Sequence, residues 1–591
     1  MRHRNKFIAL SMAAALMVTA CSSDSKTSSS SAAASTAATT APGGSTVTSS
    51  TDSTAGSTVT SDTTATSTGE TKPAAGGGPS GGTFVFGASA DPVVLDGAFV
   101  SDGESLRAIH EIFETLVTTK PGGTDIVPLL ADSWKSSTDG LAWTFTLHPG
   151  VKFQDDTKFN AAAVCFNFDR WYHFSGIAQS AAVSYYWGTV FGGFSDGAVP
   201  SLYKSCTAVD ETTVTIALTA PSAAFLAGLA VPAFSMASPD ALTKYSADKV
   251  GGTADAPTFE GTFGTQHPVG TGAFTFASWQ PGDKLTLKRN ENYWGSKAKL
   301  DELILKPIAD GPARRTALET GEIQGYDLVD PADTQALQDN GYELLLRPAF
   351  NVGYLGFNQT KPPLDNLKIR QAIAYALNRD ALVKAKYPAG SEVAKEFMPP
   401  SLFGWSKDVT QYSYDPAKAK ALIKESGVTD LNLEFYYPSE VSRPYMPDPT
   451  ANFEAFKADL EAVGFTITPK TAPWRGGYLD DVNSGNAQIY FLGWTGDYGD
   501  PDNFIGTFFR TKQAVWGFDN PKIFDALTKA RDTQDIAERT KLYEAANVLI
   551  MDFLPGVPYV HTQPALAFAP GVTGYVPSPV SIESFAGVSL G

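Results

Sequence analysis

Apolar residues along this chain fall into two alternating patterns. The stretches GTFVFGAS, LAWTFTLHPGVKF, DETTVTIALTAP, GDKLTLKRN, DELILKPI, NVGYLGFN, NLEFYYP, GFTITPK and AQIYFLGW alternate apolar with polar positions or run apolar briefly, and predict strands. Between them, SLRAIHEIFETLV, PARRTALETGEI, LKIRQAIAYALNRDALVKA, DPAKAKALIKES and TANFEAFKADLEAVG repeat apolar residues every three or four positions, the mark of a helix with one buried face. The third predicts one long helix. The fourth starts on the cap Asp415 and stops before Gly427. A strand–helix rhythm in both halves predicts α/β domains with largely parallel sheets, which bind ligands where strand ends meet a cleft.

The N-terminus stands apart from this pattern. Residues 1–20 join a basic MRHRNK to the apolar FIALSMAAALMV, a stretch too short for a bilayer span of roughly 20 residues, and read as a signal peptide. The closing VTAC resembles a bacterial lipobox, which makes Cys21 the expected lipidation site; an ordinary secretory signal with a chance Cys is the alternative. Residues 21–82 are mostly Ser, Thr, Ala and Gly, cannot bury enough apolar surface to offset their ordering entropy, and predict a disordered tether. The expected location is the outer face of the cytoplasmic membrane.

The body from residue 83 onward is too long for one compact core. The net charge is −17, and loss of Arg2, Arg4 and Lys6 with the signal takes it to about −20, chiefly a solubility feature. No basic patch stands out, which argues against nucleic acid. Besides Cys21, only Cys165 and Cys206 remain; in an oxidising compartment a disulfide is expected, and two inert core thiols are the alternative.

GWTGDYGDPDNF, residues 493–504, sets Asp497, Asp500 and Asp502 just behind the buried strand AQIYFLGW. Asp500 and Asp502, in DPDN, read as turn chemistry whose carboxylates cap backbone N–H groups of the next helix. A calcium loop is the other thought, but the spacing does not match one. Enzymatic readings are weak. GFSDG at 193–197 matches G-x-S-x-G without the strand–turn–helix frame that exposes a nucleophile. Six histidines are scattered singly, with no pair at metal spacing. Neither a cofactor nor a metal is expected.

Longer stretches carry a resemblance. PLLADSWKSSTDGLAWTFTLHPGVKFQDDTKFNAAAVCFNFDR, HPVGTGAFTFASWQPGDKLTLKRNENYWG, RRTALETGEIQG, NVGYLGFNQTKPPLDNLKIRQAIAYALNRDAL and YDPAKAKALIKESG are similar, in order, to the family 5 extracellular solute-binding proteins, the peptide-binding receptors of ABC importers. RPYMPDP at 443–449 with GWTGDYGDPDNF most resembles the dipeptide-binding members. The resemblance implies an α/β, two-lobed, hinged periplasmic-binding-protein-like fold of class II type. It puts lobe 1 at 83–347 with an inserted subdomain at about 117–266, lobe 2 at 348–557, and a return to lobe 1 over 558–591. Hinge crossings are expected near LLRPAF and PGVPYV.

By the same resemblance, Asp497 accepts the peptide α-ammonium and Arg443 holds its α-carboxylate, a surface Arg in a Pro-rich turn being the alternative for Arg443. The chemistry agrees: a carboxylate is a pure acceptor, and a guanidinium grips a carboxylate with two parallel bonds. Tyr445, two residues after Arg443, faces the same side of an extended segment and is a candidate for the ligand carboxylate or for the core. Trp494 is a candidate pocket wall or a buried structural Trp, and Tyr185 or Tyr186 a candidate aromatic crossing the cleft, with exposed loop aromatics as the alternative. The implied function is capture of dipeptides or short peptides by a lipid-anchored monomer that delivers them to an ABC permease, without enzymatic activity. The family also binds longer peptides, nickel complexes, haem and some sugars, and a non-transport surface sensor on the same fold is the remaining alternative. The Asp497–Arg443 pair argues against uncharged sugars, which would leave both charges unpaired.

Overall fold

The computed structural model describes residues 81–591 apart from Asp255 and Glu440. The expected signal segment, Cys21 and the tether up to residue 80 lie outside the described residues. Among those described, no helix is long and apolar enough to cross a membrane.

Two mixed sheets organise the chain. The seven-stranded sheet runs, in spatial order, Phe274–Gln280, Lys284–Arg289, Glu302–Pro307, Thr83–Ala88, Gly325–Asp327, Ala565–Phe568 and Glu343–Leu346. The five-stranded sheet runs Thr466–Pro473, Asn432–Ser439, Ile489–Thr495, Asn351–Phe357 and Gly556–Val560. Separate apolar cores cover them, one around Phe84, Phe86, Phe568 and Phe585, the other around Phe435, Phe456, Phe491 and Tyr559. Each such fully buried ring contributes about 1.5–3 kcal/mol. Residues 131–218 add a four-stranded antiparallel sheet to the first core.

The expected parallel character is only partly present. Thr83–Ala88 pairs in parallel with both neighbours, as does Asn432–Ser439, but every other pairing in the two sheets is antiparallel. A crossover helix makes neighbours parallel, whereas Phe274–Gln280 and Lys284–Arg289 form a hairpin and other strands return from distant chain. The long helix expected from LKIRQAIAYALNRDALVKA is also broken, into Leu367–Ala376 and Arg379–Lys386. Leu377 is extended, and the Asn378 side chain accepts from Ala381 N–H, capping a new start that apolar periodicity does not reveal.

The motifs behind the resemblance do structural work. Glu114 accepts from Thr271 Oγ1 at 2.7 Å, Tyr293 Oη at 2.6 Å and Trp294 Nε1 at 2.8 Å, tying GTG and NYW to the end of the first helix. Gly270 and Gly272 lie so close to that helix that a Cβ would stand 2.2 and 2.5 Å from its carbonyl oxygens.

The chain passes between the sheets at 347–350 and again at 561–564. The passages lie side by side, Arg347 N–H donating to Pro564 O at 2.9 Å and the Asn351 side chain bonding both N–H and C=O of Thr562. A buried ion network joins Arg347 to Asp327 and Glu583, and Asp327 to Arg107. The tail adds a third link: Val580 packs in the second core and Phe585 in the first.

Candidate ligand-binding site

Strand Ile489–Thr495 packs in the second core and turns into the loop that carries the three aspartates, where Tyr498 joins the first core. Asn503 organises this loop. Its Oδ1 accepts from Asp497 N–H at 2.7 Å and from Trp494 Nε1–H at 3.2 Å, while its Nδ2–H donates to Asp497 Oδ2 at 3.0 Å. The second carboxylate oxygen, Oδ1, accepts from the Tyr186 hydroxyl at 2.8 Å. Burial pushes the Asp497 acid up to about 6, against the lowering effect of the Asn503 and Tyr186 bonds.

The other two aspartates face away from this cluster. Asp500 caps the short turn Pro501–Asn503 through Asp502 N–H at 2.9 Å, as turn chemistry predicts, and also grips Arg539 with both oxygens at 2.8 and 2.9 Å. Asp502 differs from expectation: its carboxylate pairs with Arg510 instead of capping. Two buried carboxylates at the edge of a core are thus matched by two arginines from later in the chain. Among the described residues, no three His, Cys, Asp or Glu side chains are grouped to hold a metal.

Tyr185 and Tyr186 open the helix Tyr185–Phe191 and do not lie in a loop. Tyr186 is 5 % exposed and reaches Asp497; the Tyr185 ring lies 6.3 Å from the Trp494 ring. Trp494 also meets Phe508 edge-on at 6.2 Å. Both tyrosines belong to the first core region and both partners to the loop and strand of the second sheet. Helix Ala161–Tyr172, in the same region, is joined to strand Tyr203–Ala208 by a Cys165–Cys206 disulfide.

Arg443 and Tyr445 sit in a tight turn, the setting of the alternative reading of Arg443, and not in the extended segment expected for Tyr445. Arg443 and Met446 exchange both backbone hydrogen bonds, at 3.0 and 2.9 Å, with Pro444 and Tyr445 at the corner. Proline at the first corner position presets the turn. The passage between sheets anchors it, Thr562 Oγ1 donating to Pro444 O at 2.6 Å. The Arg443 guanidinium lies 4.4 Å from the Trp474 ring centroid, a cation–π contact that holds its plane. Tyr445 is 7 % exposed and lies on Gly493, where a Cβ would stand 2.3 Å from the Tyr445 ring. Burial pushes its phenol up to about 12 while Arg443 pulls it down. Asp497 lies four positions after Gly493, about 13 Å of extended chain. The acid and the arginine turn therefore border one strand end.

Sequence reasoning missed Asn503, Trp474 and Thr562. Asn503 stands inside the quoted motif, so its polar head among buried neighbours was an available signal. Nothing local marks Trp474 or Thr562, which act on a loop far away in sequence.

Residues 125–516 match the family model for bacterial extracellular solute-binding proteins, family 5 Middle. The dipeptide-binding protein of Escherichia coli K12 is 34 % identical over 527 residues, spanning 86 % of this chain and 94 % of the relative. Heme-binding protein A of Haemophilus influenzae is 32 % identical over 531 residues, 86 % of this chain and 93 % of the relative. Among solved structures, the ABC transporter-associated periplasmic binding protein of Helicobacter pylori in complex with the peptide STSA superposes with a TM-score of 0.73 at 30 % identity, covering 87 % of this chain and 98 % of that one. These relatives are named as binding proteins, not enzymes. The chain belongs to the family 5 bacterial extracellular solute-binding proteins.

Proposed function

We propose that this protein captures short peptides, dipeptides first, between its two sheets and delivers them to a membrane permease of an ABC importer. Asp497 takes the α-ammonium and Arg443 the α-carboxylate, with Tyr445 beside the carboxylate and Trp494, Tyr185 and Tyr186 walling the ammonium end. The passages at 347–350 and 561–564 act as the hinge about which the lobes built on the two sheets close. Lipidation at Cys21 keeps the monomer at the outer face of the cytoplasmic membrane.

One observation carries this reading: the half-buried Asp497 carboxylate is held by two side-chain donors that are both neutral. An ionised carboxylate in such a place pays for lost hydration until a cation arrives, and an ammonium group fits. Arg443, bordering the same strand end, supplies the complementary charge. A free peptide, which carries an ammonium at one end and a carboxylate at the other, offers a partner to each. The STSA complex of the Helicobacter pylori relative keeps peptides of four residues in view.

Calorimetric titration with Ala-Ala, Ala-Ala-Ala, Ala-Ala-Ala-Ala and N-acetyl-Ala-Ala tests the proposal. Binding of free peptides and rejection of the acetylated one are expected. Binding of none, or equal binding of the acetylated peptide, refutes the ammonium site and turns the search to haem and metal complexes.

A further inference from the structure

Asn503 is fully buried, and three side-chain hydrogen bonds tie it to Asp497 and Trp494. One side chain therefore fixes the backbone at residue 497, one carboxylate oxygen, and the indole edge of the adjoining wall. Few side chains could do this. The amide head offers a donor and an acceptor on one rigid plane; a carboxylate there has no donor when ionised, and a hydroxyl is too short to span both partners.

Asn503 is itself held from behind. It ends the turn Pro501–Asn503 that Asp500 caps, and Asp500 is fixed by Arg539 in a pair whose side chains are 4 % and 5 % exposed. The chain of contacts runs from Arg539 through Asp500 and the turn to Asn503, and from there to Asp497. A carboxylate has about four lone-pair sites, so the donors from Asn503 and Tyr186 leave two for a ligand.

We propose that Asn503 is the positioning residue of the ammonium site: its amide aims the Asp497 carboxylate, keeps it in the charged acceptor form, and holds the Trp494 indole against the same space. This rests on Asp497 receiving the peptide ammonium. Asn503 heads the interactions that oppose the effect of burial on Asp497. The other titratable groups around Asp497 are Tyr185 and Tyr186 on the facing helix, Tyr498 beside it, and Asp500 and Asp502 behind, with Asp102 beyond Tyr186. Arg539 and Arg510 neutralise the two aspartates behind.

The test is calorimetric titration of Ala-Ala into wild type, Asp497→Ala and Asn503→Ala between pH 5.5 and 7.5, with melting temperature measured at each pH. Losing the amide donor moves the pH midpoint of affinity upward. For a one-unit move, the loss caused by Asn503→Ala is about sixfold greater at pH 5.5 than at pH 7.5. A role confined to holding the loop lowers affinity by the same factor at every pH, and that result overturns the proposal. Should Asn503→Ala not fold, Asn503→Ser, which keeps a short polar group in the loop, carries the same comparison. If wild-type affinity depends on Asp497 but the midpoint stays fixed in the variant, only the role of Asn503 fails. If the wild type binds Ala-Ala at no pH, or binds it independently of Asp497, the ammonium site fails and this proposal with it.

Discussion

The Tyr186 hydroxyl donates to Asp497 Oδ1 at 2.8 Å, joining a helix packed in the first core to the loop that leaves the second sheet. The bond spans 311 residues of sequence. It puts Asp497, the acid proposed to receive the peptide ammonium, where the regions around the two sheets meet.

Removing that hydroxyl by Tyr186→Phe deletes a hydrogen bond to a charged group while keeping the ring. Such bonds contribute about 1.5–3 kcal/mol, so peptide affinity is expected to fall about tenfold or more. Calorimetric titration at pH 7.5 measures it. Unchanged affinity would mean that Tyr186 only fills space.

Acid should weaken binding. With Asp497 titrating at about 6 in the unliganded protein, the ionised fraction falls about tenfold between pH 7.5 and 5, and apparent affinity falls with it. Stability moves the other way. The folded value is raised above 3.8, so the stabilisation from this group is fully present below 3.8 and is lost as pH rises through about 6. A bound ammonium restores it. The increase in melting temperature on adding Ala-Ala should therefore be larger at pH 7.5 than at pH 5, measured by calorimetric scans; the opposite order would contradict the assignment.

Much of this site could be read in the chain, and the part that could not has physical causes. Strands such as NVGYLGFN and AQIYFLGW are legible because burial on both faces leaves a continuous apolar run. Their pairing direction is not, because it depends on which distant strand lies alongside. The helix break at Asn378 was hidden since apolar spacing continues across it. Tyr185 and Tyr186 are equivalent in sequence; only the helix they open sets one against Asp497 and the other against Trp494. Trp474 under Arg443 joins segments that no local pattern connects.

Behind the loop, Arg539→Ala should destabilise the protein strongly. It leaves Asp500 buried without its partner, which costs about 3–5 kcal/mol. The midpoint of urea unfolding reports the loss. A change under 1 kcal/mol would show that solvent reaches Asp500 freely.

The Cys165–Cys206 bridge links residues 41 apart in the first core region, and closing a loop of that size contributes about 2–4 kcal/mol. Replacing both cysteines by alanine should lower the melting temperature by several degrees. Equal melting temperatures for oxidised wild type and variant would show that packing alone holds this region.

The central claim, that Asp497 pairs with a peptide ammonium, is tested most directly by a calorimetric cycle of Ala-Ala and N-acetyl-Ala-Ala against wild type and Asp497→Ala. Breaking a buried ion pair costs about 3–5 kcal/mol, two to four decades of affinity. Acetylation should cost that much in the wild type and little in the variant, because the partner of the ammonium is already gone. An acetylation penalty equal in both proteins would place the ammonium elsewhere and contradict the account.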